Sequence, residues 1–250
     1  MDEELERILA INPAALTGFF KRREVVGGVV QAPLVLRMDG VNFGRMLREF
    51  LQPRDVRVHR ALTLACRELM RFFNGDFCYA VSDELNLLII GSIPYAGRVF
   101  KLVSVSAGIA SAVASLQLGR KLYFDSRVVV LESPWEAIPY VLSRMRIGFG
   151  NYVSKLFTSL VKTVRTPKLR DMVVELLRRG VDLKTDWRSV GTCLYFSRVE
   201  KKGFDPLRGS HVVVERRVVR ESSKLSECVN ALVETVRCST RESVNEQANS

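Results

Sequence analysis

The chain has 250 residues, with 38 Lys+Arg against 27 Asp+Glu, a formal net charge of +11 and two histidines. This length suits one large domain or two small ones, and 47% hydrophobic with 26% charged residues is a globular composition that excludes wholesale disorder. His59 and His211 are too few and too far apart for a zinc enzyme or a histidine-based triad. The basic excess points to a polyanion, either nucleic acid or an anionic membrane surface.

In chain order, a short helix is predicted at about 2–9, then a second helical piece ending in Lys21-Arg22-Arg23. Val29 to Met38 reads as strand-rich, and the apolar run at 34–38 leads into Asp39-Gly40. Over 55–73, Val58, Leu62, Ala65, Leu69 and Phe72 recur at spacings of three and four, an amphipathic helix. Phe77–Val81 and Leu85–Ile90 are short apolar strands separated by Ser82-Asp83-Glu84, which reads as a tight hairpin. Residues 102–119 are uncharged over nearly the length of a membrane span, yet four serines and a glutamine make them weakly hydrophobic. They are read as part of a buried core helix at about 97–117, and Lys121–Leu131 as a strand containing YFDSRVVVL. Helices are predicted at Pro134–Val164 and Lys168–Arg179, the second stopped by Gly180, strands at 192–199 and 211–219, and a frayed end at 239–250.

The order from 34 to 131 is thus β-α-β-β-α-β, the ferredoxin-like unit of an α+β fold, a four-stranded antiparallel sheet with both helices on one face. The net charge of residues 1–140 is only +2, whereas residues 141–220 carry 18 basic and 7 acidic groups. A localised excess of this kind suggests a polyanion-binding surface, with a solvated helical face as the plainer reading. Five widely spaced cysteines without a C-x-x-C pair argue against a disulfide framework and a zinc ribbon, and fit a reducing cytoplasm. The acidic start MDEELERILA lacks the features of a signal peptide, so a cytoplasmic protein without membrane attachment is expected.

In the β-α-β-β-α-β topology, Asp39 at the exit of the first strand and Asp83 with Glu84 in the hairpin meet at one end of an open sheet face. Clustered carboxylates repel one another unless cations neutralise them, and Mg²⁺ accepts one or two carboxylates together with substrate phosphates. The competing reading is turn chemistry, since Asp-Gly and Ser-Asp are common turn dipeptides. Asp125 lies inside a strand, where a salt bridge to Arg127 is the expected role. Arg98 and Lys101, spaced i, i+3 at a helix start, could reach a triphosphate with help from the helix dipole. No G-x-x-x-x-G-K-[ST] or G-x-G-x-x-G occurs, which removes the main support for P-loop and Rossmann readings.

The run LVLRMDGVNFGRM, then Ser82-Asp83-Glu84, Arg98-x-x-Lys101 and YFDSR resembles the tRNA-histidine guanylyltransferase family over about residues 5–220. The stretches WRSVGTCLYF, KKGFDPLRG and Glu215-Arg216-Arg217 resemble its archaeal and bacterial-like branch. The resemblance implies a 3′-to-5′ polymerase on a polymerase-type palm, with a helical and β-strand C-terminal extension. It implies two Mg²⁺ ions on Asp39, the Gly40 carbonyl and Asp83, with Glu84 nearby in the catalytic set. Arg37, Asp55, Ser82, Arg98 and Lys101 become the candidate nucleotide-binding residues, with GTP and ATP as substrates and Asp55 near the base. Arg144, Arg146, Lys155, Arg188, Arg216 and Arg217 become the candidate contacts to tRNA, and a homo-oligomer is implied. The expected division is a palm-like catalytic unit with N-terminal helices at 1–140, a basic tRNA-binding extension at 141–220, and a C-terminal helix and tail at 221–250.

Three positions depart from the family pattern. Gln52 stands for a lysine before proline, Gly44 for a histidine, and Phe149-Gly150-Asn151-Tyr152 for an H-I-N-N motif. These departures make template-dependent repair of several tRNAs as credible as guanylate addition to one. Two alternatives remain: a non-catalytic RNA-binding module, stacking bases on Phe77 and Tyr79 of the same sheet, and a palm-type nucleotide cyclase.

Overall fold

The computed structural model describes residues 3–25, 27–161, 167–205 and 209–248. The elements are α1 (Glu3–Ala10), α2 (Pro13–Lys21), β1 (Glu24–Val25), β2 (Leu34–Gly40), α3 (Phe43–Met46), α4 (Val56–Phe73), β3 (Phe77–Val81) and β4 (Glu84–Ile89). They continue with α5 (Val99–Leu118), β5 (Phe124–Val130), α6 (Ala137–Leu160), α7 (Leu169–Arg178), β6 (Thr192–Asp205), β7 (Ser210–Ser222) and α8 (Leu225–Ala248). The expected helix end at 162–164, residues 206–208 of the KKGFDPLRG stretch and the last two tail residues lie outside the described residues.

The strands form one antiparallel sheet in the order β1-β5-β2-β4-β3-β6-β7. Period-two alternation sorts the side chains between two cores. Leu34, Leu36 and Met38 join a core with α4 and α5, while Val35, Phe77 and Tyr79 join one with α1, α2, α6, α7 and α8. The second face is therefore covered, not open as expected. Phe77 and Tyr79 are 0% exposed, which removes them as base-stacking groups and with them the RNA-binding-module alternative. The Tyr79 hydroxyl donates instead to the Val190 carbonyl at 2.5 Å.

Helix α6 lies close on β3 because Gly148 has no side chain: a Cβ there would fall 2.2 Å from the Val81 side chain. Phe149 and Tyr152, which stand in the H-I-N-N position, are buried in this contact. The expected boundary at residue 140 falls inside α6, and the sheet continues from β3 into β6, so the residues on its two sides share one sheet. Helix α5 is long and apolar enough to cross a membrane, and its buried residues are Val99, Leu102, Ser106, Ala110 and Ala114. Its serines serve the neighbouring strand segment. Ser115 Oγ accepts from the Leu122 amide at 2.9 Å and Ser111 Oγ from the Phe124 amide at 3.0 Å.

Two further expectations are corrected. Cys193 on β6 and Cys228 on α8 form a disulfide across 35 residues of sequence, because the last helix folds back over the sheet and brings together two widely spaced cysteines. The segment expected to fray also continues α8 as far as Ala248.

Candidate active site

Strand β2 ends in Asp39-Gly40, and its register places Asp39 opposite Glu84 on β4 and Asp125 on β5. The β3–β4 hairpin turns through Ser82, whose φ of 60° lies in the left-handed region. The Gly40 amide donates to the Asp83 carbonyl at 2.9 Å, which ties the hairpin to the end of β2. A Cβ on Gly40 would stand 2.6 Å from the Phe43 ring, so the close approach requires glycine.

Asp39 sits at this end with its side chain 37% exposed. Burial, then Glu84 and Asp83, raise its pKa to about 6; Arg37 opposes them and Asp125 adds to them. This carboxylate end is short of positive charge. Among the described residues no three His, Cys, Asp or Glu side chains converge on one point. The donor set is instead two carboxylates and a backbone carbonyl, a set that fits Mg²⁺, which completes its shell with phosphate oxygens and water.

Glu84 has a different place from the one expected of it. It is 5% exposed; Arg144 holds both its oxygens, Arg37 Nε donates at 3.0 Å and Asn86 at 2.9 Å. Burial pushes its pKa up, but Arg144 and Arg37 outweigh this and hold the group below the ordinary glutamate value. Tyr140 extends the network by donating to Asn86 Oδ1 at 2.7 Å. Glu84 thus anchors two arginines behind Asp39. Arg37 also approaches Asp39 at 3.7 Å and Glu24 at 3.8 Å. Arg144, a candidate tRNA contact, is 9% exposed and committed to Glu84, so RNA cannot reach it.

On the other side of Asp83 lies an open cleft, lined by Ser82, Asp83, the 50–55 loop, Lys155 of α6 and Trp187. Asp55 shapes this loop. It caps α4 through the Arg57 amide, pairs with the Arg57 guanidinium and accepts from the Leu51 amide at 2.9 Å. The Arg57 hydrogen bonds lead in holding its carboxyl well below the usual range. His59 stacks on Trp187 with ring centroids 4.8 Å apart and meets Thr192 Oγ1 at 2.9 Å; burial lowers its pKa to about 4. Arg54, His59 and Trp187 escaped sequence reasoning because three separate segments contribute to this wall.

Residues 26–132 match the family model described as Thg1, tRNAHis guanylyltransferase. The similarity to that family is carried by this segment, somewhat less than half of the chain. Members of that family are nucleotidyltransferases of the tRNA guanylyltransferase type. A bacterial tRNA(His) guanylyltransferase (Thg1)-like protein solved with ATP has a TM-score of 0.63 at 20% identity, covering 80% of this chain and 90% of its own. The same kind of protein solved with GTP has a TM-score of 0.60 at 20% identity, covering 82% and 89%. The Saccharomyces cerevisiae tRNA(His) guanylyltransferase has a TM-score of 0.57 at 17% identity, covering 78% and 94%. At these identities the likeness of solved structures speaks for the fold. No curated protein sequence matches the chain significantly.

Not all the family-derived candidates meet at the carboxylates. β4 runs from Glu84 away to Ile89, which pairs with Leu34. Arg98 follows at that far end, bridged to Val29, and the Val99 amide donates to the Gly28 carbonyl. Arg98 and Lys101 thus stand at the start of α5, at the sheet end opposite Asp39, and the structure does not bring them together with the carboxylates. Asp125 pairs with Arg127 at 3.0 Å, as expected. Of the candidate RNA contacts, Arg188 is clamped by Asp186 at 2.6 Å and Arg146 is half-buried against its own helix. Arg216 and Arg217 lie exposed on the β6–β7 ribbon, with Arg217 stacked 3.6 Å over Phe196. Arg198, Lys201, Lys202 and Arg220 are exposed on the same ribbon.

Proposed function

We propose that the chain is an Mg²⁺-dependent enzyme that adds nucleotides, guanylate foremost, to the 5′ end of tRNA in the 3′-to-5′ direction. Its β2–β5 unit with α4 and α5 would serve as a ferredoxin-like, polymerase-type palm. Both guanylate addition to tRNA-histidine and template-dependent repair of truncated 5′ ends fit. The observation that carries this reading is the approach of Asp39 and Asp83 at one sheet end, tied together through the Gly40 amide, with Asp83 itself lining the cleft. Asp39, the Gly40 carbonyl and Asp83 would hold the Mg²⁺ ions, with GTP or ATP in the cleft; relatives solved with ATP and GTP support that pairing.

When bound, Mg²⁺ supplies charge neutralisation at the triphosphate and acidifies the attacking 3′-hydroxyl. Asp39 must be ionised to contribute, so its raised pKa makes ion binding weaken as pH falls through about 6. Glu84 holds Arg37 and Arg144 in fixed positions behind the reacting end. The basic ribbon would carry the tRNA.

The test offers full-length and 5′-truncated tRNAs with Mg²⁺ and each labelled nucleotide, with and without ATP. Asp39→Ala and Asp83→Ala should each lower incorporation by at least about 10²–10³-fold, the scale of losing one electrostatic stabiliser, while tRNA binding survives. Full incorporation in both variants would sink the assignment. Cyclic product formed without tRNA would favour the cyclase.

A further inference from the structure

We propose that Arg54 positions the phosphate chain of the nucleoside triphosphate in the cleft, an inference that rests on the nucleotidyltransferase reading above. The polar groups of the 51–55 loop are turned inward, with one exception. Asp55 is saturated by the Leu51 amide, the Arg57 amide and the Arg57 guanidinium. The Gln52 amide donates to the carbonyls of Leu47 and Phe50, both at 3.3 Å. Arg54 spends only Nη1 locally, on the Pro53 carbonyl at 3.0 Å. Its Nε and Nη2 are buried and have no hydrogen-bond partner among the described residues.

A guanidinium stays charged and its N–H groups form a rigid fork matched to phosphate oxygens. Leaving such donors buried and unpaired is costly unless an anion arrives to meet them. Arg54 lines the same cleft as Asp83 and Lys155. Asp83 is an acidic group close enough to influence it, but in the proposed chemistry that carboxylate serves the metal. Two cations and a metal-bearing carboxylate on one cleft wall complement a metal-bound polyphosphate, which carries negative charge and a cation together. The uncharged walls, Phe50 and the Trp187–His59 stack, leave the base no comparable charge partner.

The experiment measures binding of Mg·GTP and of guanosine by calorimetric titration, together with the melting temperature of the nucleotide-free protein. Arg54→Ala should weaken GTP about 10- to 100-fold, leave guanosine unchanged, and melt no earlier than the wild type, since a buried unpaired cation has gone. Arg54→Lys should recover part of the GTP affinity. The inference is overturned if Arg54→Ala binds GTP as the wild type does, loses guanosine equally, or melts earlier without nucleotide. A wild-type protein that neither binds nor turns over any nucleoside triphosphate overturns the nucleotidyltransferase reading itself, and this inference with it.

Discussion

The carboxylate end of β2 and β4 and the β6–β7 ribbon belong to one sheet, yet they treat charge in opposite ways. At the first, nearly every ion is matched: Arg37 and Arg144 close on Glu84, Arg127 on Asp125, and the tension is confined to Asp39. On the ribbon, like charges face each other across the ladder, Arg198 opposite Arg217 and Glu200 opposite Glu215. The diagonal Arg198–Glu215 contact at 3.4 Å relieves both pairs. Buried charge must be paired to be tolerated, whereas exposed charge is screened by water and salt. The first region holds a fixed geometry, while the second keeps its charge at the surface.

The contrast breaks most visibly at Arg144. Arg144→Ala leaves the Glu84 carboxylate buried with Arg37 as its remaining guanidinium and should cost about 3–5 kcal/mol, read as a lower urea midpoint. Arg216→Ala on the ribbon should stay within about 0.5 kcal/mol. A comparable loss at both positions would erase the distinction. Reducing the Cys193–Cys228 bond, which anchors β6 to α8, should remove about 3–4 kcal/mol by the chain-entropy relation for a loop of this size. Unchanged unfolding with and without reductant would show that the pairing does not constrain the chain.

Binding sharpens the same contrast. Replacing Lys201, Lys202, Arg216 and Arg217 together by Gln should lower the slope of log K against log[salt] for tRNA by about 3, with the melting temperature nearly unchanged. An unaltered slope would move the RNA surface elsewhere. The smallest effect is expected at Asp39. Its folded-state pKa, about 6, lies above the ordinary 3.8, so the ionised group opposes folding above pH 6 and the opposition fades as pH falls toward 4. Asp39→Asn should therefore stabilise the metal-free protein by about 1 kcal/mol at pH 8, after discount for solvent screening, and by little at pH 4. Thermal melts at both pH values check the sign.

Much of this was legible in the residues. The three-four spacing of 58–72, the alternation on either side of Ser82-Asp83-Glu84 and the Asp39-Gly40 strand end led to the right element order and to the meeting of Asp39 with Asp83. The helical start at Arg98 was also legible, but not its place in space: a strand leaving a hairpin carries the next helix start to the opposite end of the sheet. The resemblance assigned Arg98 and Lys101 to a nucleoside triphosphate. The basic excess of 141–220 was legible as a sum, while its division between Arg144, clamped by Glu84, and the open ribbon was not.

The sequence by itself determined what depends on local periodicity and turn chemistry, namely the succession of strands and helices and the carboxylates at their ends. Only the tertiary structure decided which charges are spent on one another, that α6 closes over Phe77 and Tyr79, that two distant cysteines join, and that Arg54 reaches the cleft with two nitrogens unpaired. The reason is that periodicity follows from backbone geometry within one element. Pairing and burial depend instead on which distant segments share a few ångströms of space.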